Sequence, residues 1–283
     1  MDPGHLHALS MTVRWPYRAD EWLFLRDCGH GRAALDEIDR VVATAMLFPY
    51  GDRPCGDGLA TLGAVIVSPR FQRQGVAPWL IRQLVEASPA RSYRLNATEV
   101  SRRLFSCLGF QPTGQRVYRN RGRVHCPADA AVLVRPARIG RLDVSRLAAV
   151  IEVDRKAFGA SRGRLLQRLL TDNIGYGLFE GGRLKAFAIR RAIGRGHAIG
   201  PVVAESDEDA IAVVNRHFAD LEGQLVRLDT PQESPSFNAA LAQAGLVVVE
   251  TLAAMSLGAV ADMPGRFPQG QPRTFALASP ALG

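Results

Sequence analysis

The six residues from Gln72 to Ala77 (Gln-Arg-Gln-Gly-Val-Ala) have the types and spacing of an anion site. A β-branched apolar run, Leu59 to Val67, precedes them. Val76, Leu80, Ile81, Leu84 and Val85 follow at helical spacing until Ser88 and Pro89. A strand feeding a glycine turn and then a helix leaves the first amides of that helix, here Gln74, Gly75, Val76 and Ala77, without intrahelical acceptors. They also lie at the positive end of its dipole. Gly75 takes a Cβ out of the approach, and Ala77 keeps the backbone accessible. Arg70 and Arg73 add charged donors at the mouth. The chemistry implied is capture of a phosphorylated group by main-chain N–H.

The pattern around this turn predicts the elements that hold it. Leu6 to Arg14 reads as extended and Ala19 to Asp27 as a short helix. Arg32 to Leu35 and Arg40 to Phe48 read as a hairpin, and Pro49 to Gly58 as a loop. After the first helix come a strand at Tyr93 to Ala97, a helix at Glu99 to Leu108 and a strand at Gln115 to Tyr118. The second half repeats the order: strand Ala131 to Arg135, helices Val144 to Phe158 and Arg164 to Leu170, then a hairpin about Gly181-Gly182. It continues as strand His197 to Val203, helix Glu208 to Leu221, strand Gln224 to Leu228, helix Phe237 to Ala244 and strand Leu246 to Met255. Leu108-Gly109-Phe110 and Ala244-Gly245-Leu246 close the two halves alike, which reads as a duplicated domain.

Val67-x-Pro69, Gln72-x-x-Gly75-x-Ala77 and the later Leu108-Gly109-Phe110 fall in an order that resembles the GCN5-related N-acetyltransferase (GNAT) superfamily, whose signature is Q/R-x-x-G-x-G/A. The resemblance covers Arg14 to about Tyr118 and includes Leu95-Asn96-Ala97-Thr98. It implies that Gln72, Arg73, Gln74, Gly75, Val76 and Ala77 hold the pyrophosphate of acetyl-CoA. It also implies that Val65, Ile66 and Val67 bond its pantetheine arm. The second half resembles the degenerate C-terminal domain of tandem members, through Asp154-x-x-x-Phe158-Gly159-Ala160-x-Arg162, Ile199-Gly200-Pro201, Arg227-Leu228-Asp229-Thr230-Pro231 and Met255-x-Leu257-Gly258. Its counterpart of the phosphate turn, Ala204 to Asp209, has no glycine and carries four carboxylates, which repel a pyrophosphate. The implied fold is α/β (α+β), two tandem GNAT-like domains, each a mixed, mostly antiparallel sheet flanked by helices. Their expected limits are 1–123 and 131–261, followed by a Pro/Gly-rich tail, 262–283, whose apolar segment Phe275 to Leu282 docks on the protein.

The resemblance implies acetyl transfer to a primary amine, which needs a neutral nucleophile and a proton for the departing thiolate. Relatives supply that proton from a Tyr where this sequence has Phe105. Asp57, Glu99, Cys107 and His197 are the remaining acid–base candidates, each also explained as a turn, capping, surface or core residue. Asp154 and Arg162 either read a charged acceptor or make a structural pair, and Asp229, before Thr230-Pro231, reads as a turn residue; the carboxylates Asp154, Asp207 and Asp229 hint at a cationic acceptor such as a polyamine, an aminoglycoside or a lysine side chain. Without a proton donor, the alternative is a regulatory protein that binds acyl-CoA and transfers little.

Lys+Arg 35 against Asp+Glu 27 gives a net charge of +8, yet no helix-turn-helix, zinc-finger spacing or aromatic-interleaved basic stripe accompanies it, so nucleic acid is unsupported. The four cysteines are scattered with no C-x-x-C pair, and His5 and His7 stand alone, so no metal site is expected. No apolar run reaches the roughly 20 residues of a membrane span, and the N-terminus lacks the pattern of a signal peptide. These features together lead to the expectation of a cytoplasmic enzyme without membrane contact; a homodimer is left open.

Overall fold

In the computed structural model, which describes residues 2–15, 17–51, 58–126, 139–231, 233–258 and 270–283, the N-terminal segment is a helix, α1 (Pro3–Thr12). This corrects the extended reading of Leu6 to Arg14. Asp2 accepts a hydrogen bond from Gly4 N at 2.8 Å, and Pro3 occupies the first helical turn, which together start a helix that apolar spacing does not announce. Ser10 on α1 is buried; it donates to Leu6 O at 2.8 Å and accepts from Trp22 Nε1 at 2.8 Å. Trp22 belongs to α2 (Ala19–Cys28).

The chain divides into two compact units, one of Met1–Thr113, Ala253–Ala261 and Leu282, the other of Gly114–Leu252, Asp262–Ala281 and Gly283. Unit 1 continues with β1 (His30–Leu35), β2 (Val41–Tyr50), β3 (Leu59–Val67), α3 (Val76–Glu86), β4 (Ser92–Ala97) and α4 (Glu99–Cys107). The strands run β1-β2-β3-β4, with the residues Ala253 to Gly258 of β11 (Val247–Gly258) antiparallel on β4. All these pairings are antiparallel except β3 with β4. Ala43, Ala45 and Leu47 of β2, Ala60 and Leu62 of β3, and Tyr93, Leu95 and Ala97 of β4 face Leu80, Ile81 and Leu84 of α3 and Phe105 of α4. Strand alternation therefore turns the intervening residues toward the opposite face, against which α1 packs.

Unit 2 holds the greater part of β5 (Gln111–Arg123), then β6 (Ile139–Leu142), α5 (Leu147–Phe158), α6 (Gly163–Asp172), β7 (Ile174–Glu180) and β8 (Arg183–Ile193). It continues through β9 (Gly196–Ala204), α7 (Asp207–Ala219), β10 (Leu225–Thr230), α8 (Pro235–Gln243) and β12 (Arg273–Ala276). The strand order is β5-β10-β9-β8-β7-β6, with β12 on β9. Strand β5 is far longer than the expected Gln115 to Tyr118 because its distal half, Tyr118 to Arg123, pairs antiparallel with Leu225 to Thr230. No local pattern announces that partner. The expected strand Ala131 to Arg135 lies outside the described residues.

Phe275, Ala276, Leu277, Ala278, Ala281 and Leu282 of the C-terminal segment are all buried. Its backbone passes so close to Gly200 that a Cβ there would lie 1.9 Å from Leu277 O. Gly200→Ala must push the strand and the tail apart. It is expected to cost about 2–3 kcal/mol, seen as a fall in Tm of roughly 5–10 °C in thermal denaturation.

Candidate functional site

β3 and β4 share parallel pairing only at Leu59–Ser92, Ala60–Tyr93 and Thr61–Arg94. Both strands run on, β3 to Val67 and β4 to Ala97, but apart. The cause lies in β3, where Ala64 takes a positive φ of 50° and the register against β2 shifts between Thr44 and Met46. Such a bulge bends its strand and increases the local twist. β2 holds the outer edge of β3 as far as Val67, and β11 holds the outer edge of β4 as far as Ala97. Among the described residues, the inner edge of β3 from Gly63 to Val67, about 13 Å at 3.3 Å per residue, meets no strand. Its main-chain donors and acceptors are available to a ligand that carries amides.

The open edge leads into the glycine turn, Ser68 to Gly75. Pro69–Phe71 forms one 3-10 turn, closed by Phe71 N donating to Ser68 O at 2.8 Å. Gln72 Nε2 donates to Val67 O at 3.0 Å and Gln74 Nε2 to Arg70 O at 2.8 Å, so both glutamines fasten the turn with their side chains. Arg73 and Gly75 have φ of 63° and 81°, and Gly75 is the N-cap of α3. The first intrahelical bond is Trp79 N to Gly75 O at 3.1 Å, and Pro78 has no N–H. The amides of Gln74, Gly75, Val76 and Ala77 are therefore directed out of the helix end. Nothing lies within 4 Å of a Cβ built on Gly75. The space beside that position is open, and the positive φ of Gly75 accounts for a glycine there.

On the face turned to α1, the last rungs before the strands part are polar. Tyr50 Oη donates to Leu282 O at 2.6 Å, and Thr61 Oγ1 lies 3.4 Å from Tyr50 Oη; both residues are buried. Arg94 stands opposite Thr61 on one side and Ser256 of β11 on the other, and burial lowers its pKa. Beyond Thr61 the next residue on that face is Gly63, which contributes no side chain. None of this group figured among the sequence candidates, although the alternation of Arg94 and Asn96 with apolar Tyr93, Leu95 and Ala97 was a visible signal.

The acid–base candidates scatter. Glu99 opens α4 with its side chain 81% exposed and paired to Arg102 at 3.0 Å. Cys107 is exposed at the far end of that helix, and Asp57 lies outside the described residues. Phe105 is buried and meets Phe110 edge-on, with ring centroids 5.8 Å apart. In unit 2, His197 on β9 lies 2.9 Å from Gln224 Oε1, and burial lowers its pKa. Asp154 and Arg162 pair with each other at 2.7 Å, both side chains fully buried, and Arg162 also donates to Gly283 O at 2.5 Å. Asp229 sits between Arg119 and Arg227, each at 3.2 Å.

Unit 2 has a similar fork with a different filling. β9 and β10 pair in parallel only at His197–Val226 and Ala198–Arg227. Into the gap beyond comes β12, antiparallel to β9 through Arg273–Ala204, Thr274–Val203 and Ala276–Val202. Leu277 N then donates to Asp229 O of β10 at 2.9 Å, so the tail bonds both prongs. At the N-terminus of α7 the negative group is Asp207, held by Arg273 and by the hydroxyls of Ser234 and Ser236. The helix dipole is met by the protein's own carboxylate.

Two family profiles match the sequence: that described as the acetyltransferase (GNAT) family over residues 7–110, and that described as the acetyltransferase (GNAT) domain over 150–266. No curated protein sequence matches. Among solved structures, a Pyrococcus horikoshii protein described as an acetyltransferase is 19% identical, with a TM-score of 0.79, and the match covers 100% of this chain and 92% of that one. A tandem GNAT protein from the clavulanic acid biosynthesis pathway is 14% identical, with TM-score 0.62 and coverage of 92% and 96%. A GCN5-related N-acetyltransferase of Sphaerobacter thermophilus is 14% identical, with TM-score 0.57 and coverage of 88% of both chains. At these identities the likeness is one of fold.

Because Gly75 is left-handed and its surroundings are open, Gly75→Ala should cost about 1 kcal/mol through backbone strain alone. A drop of a few degrees in Tm checks this. The exposed amides should persist, so ligand affinity at the turn falls far less than with a carboxylate placed there.

Proposed function

Because the chain belongs to the GNAT acetyltransferases and carries two of their domains in tandem, we propose that it is an acyl-CoA-dependent N-acetyltransferase whose first unit holds acetyl-CoA and acetylates a primary amine. The observation that carries this reading is the open β3 edge leading directly into free helix amides. Acetyl-CoA brings the activated acyl group as a thioester. The chain contributes the amides of Gln74, Gly75, Val76 and Ala77 with Arg70 and Arg73 for the pyrophosphate, and the edge Val65 to Val67 for the amide-bearing arm. Gln72 steadies the turn by bonding Val67 O.

Among the described residues, the last rungs of the fork offer hydroxyls and the guanidinium of Arg94, with no carboxylate or imidazole. Thr61 and Tyr50 can orient an amine by hydrogen bonds, but neither is a base at neutral pH. Transfer then depends on holding a neutral amine against the acyl carbon, with solvent taking the amine proton, so alignment does most of the work. Unit 2 is not assigned a cofactor, since β12 and Asp207 stand where the arm and the phosphate would lie. The reading includes a cytoplasmic setting. The buried Phe105 favours a second reading, binding of acyl-CoA with little turnover.

A thermal-shift titration with acetyl-CoA, joined to a thiol-release assay over an amine panel, tests both. At 100 times its Kd the ligand should stabilise by about 2.7 kcal/mol, a shift of a few degrees. Gly75→Glu should abolish the shift. Gln74→Glu, which leaves the glycine turn in place, should reduce it strongly. A shift with thiol release supports the transferase, a shift without release the regulatory reading, and no shift contradicts both.

A further inference from the structure

Helix α3 turns Leu80, Ile81 and Leu84 into the core of unit 1, with Val76 and Val85 packed beside them. Gly75, Trp79 and Arg82, at i, i+4 and i+7, fall on the opposite side of the helix. Trp79 is 54% exposed, and among the described residues no other Trp, Tyr or Phe side chain is exposed. Its amide makes the first intrahelical bond, to Gly75 O at 3.1 Å. The residue therefore stands one turn, about 5.4 Å along the axis, beyond the glycine. Helical side chains lean toward the N-terminus, which brings the indole back over the turn rather than away from it. Arg82 is exposed on the same face, and the exposed Arg70 and Arg73 belong to the turn; none of the three makes an ion pair among the described residues. Glu86, a turn beyond Arg82, lies 3.5 Å from Gln83 Nε2. An exposed indole and guanidiniums next to a row of phosphate-binding amides suit a phosphorylated nucleoside, whose base stacks on the ring and whose phosphates meet the cations.

We propose that Trp79 stacks on the adenine of CoA, so that the first turn of α3 holds the donor by its nucleoside as well as by its diphosphate. The arm reaches the turn along β3, the diphosphate lies on the amides of Gln74 to Ala77, and the nucleoside leaves over the solvent face of α3. This rests on the acetyltransferase reading and narrows its donor to the nucleotide thioester, in preference to a thioester of phosphopantetheine alone. Trp79 touches the donor far from the acyl carbon and is a specificity residue, not a catalytic one.

The test measures binding by calorimetry for acetyl-CoA and for S-acetylphosphopantetheine, which keeps the thioester, the arm and one phosphate but has no nucleoside. The wild-type chain should bind acetyl-CoA at least about tenfold more tightly. Trp79→Ala should weaken acetyl-CoA by about tenfold, the usual cost of losing one base–aromatic stack, and leave any binding of the truncated thioester where it was. Trp79→Phe, which keeps a ring, should lose only about threefold, and it serves should Trp79→Ala fail to fold. Tryptophan emission adds a direct reading, because of the three tryptophans Trp22 is buried and Trp15 partly buried. Acetyl-CoA should quench the exposed Trp79, and the quench should vanish in Trp79→Phe while calorimetry still records binding. Equal wild-type affinity for the two thioesters, an acetyl-CoA affinity untouched by Trp79→Ala, or a quench that survives in Trp79→Phe would overturn the proposal. Absence of any acetyl-CoA binding to the wild-type chain instead removes the reading beneath it, and the proposal with it.

Discussion

Two neighbouring parallel strands that stop pairing after three residues create the constraint on which unit 1 depends. β3 cannot follow β4 because the bulge at Ala64 redirects it, and it cannot collapse because β2 holds it from the other side. Main-chain groups stranded on such an edge must find partners in solvent or in a ligand. Unit 2 meets the same condition otherwise, by folding its own tail into the gap. Among the described residues, one fork keeps an edge without a strand partner; the other is completed by the chain's own tail.

Electrostatics follow the same division. The N-terminus of α3 presents amides and two nearby arginines with no carboxylate in the turn. The N-terminus of α7 carries Asp207, Glu208 and Asp209 in its first turn, and Ser206 caps it by accepting from Asp209 N at 3.2 Å. In unit 2, Asp154, Asp207 and Asp229 are each paired with arginine. Asp154 with Arg162 is the deepest of them, an arrangement that is costly to break because either partner alone would be left uncompensated.

The strand, glycine turn and helix were legible because every part is local: a strand, a glycine with positive φ, and the helix that follows. The hairpins and most helices were legible for the same reason. Helix α1 was not, since its start is set by Asp2 and Pro3 and its apolar spacing is weak. The reach of β5 and the existence of β12 depend on partners about 100 and 70 residues away in sequence, which no window can show. The fork itself was equally hidden. A bulge at an alanine has no sequence mark, and the polar rungs of Tyr50, Thr61 and Arg94 converge only when three strands and the tail are assembled. Asp154, Arg162 and Asp229 could be picked out as an unusual set of charges, but only the structure pairs them.

Amide hydrogen exchange with and without acetyl-CoA bears most directly on the account, because it reads the main-chain groups on which the site is built. The account predicts slowed exchange at Gly63 to Val67 and at Arg73 to Ala77, with Gly196 to Ala204 of β9 unchanged because β12 already protects it. Protection confined to β9, or none along β3 and the turn at saturating acetyl-CoA, would contradict it.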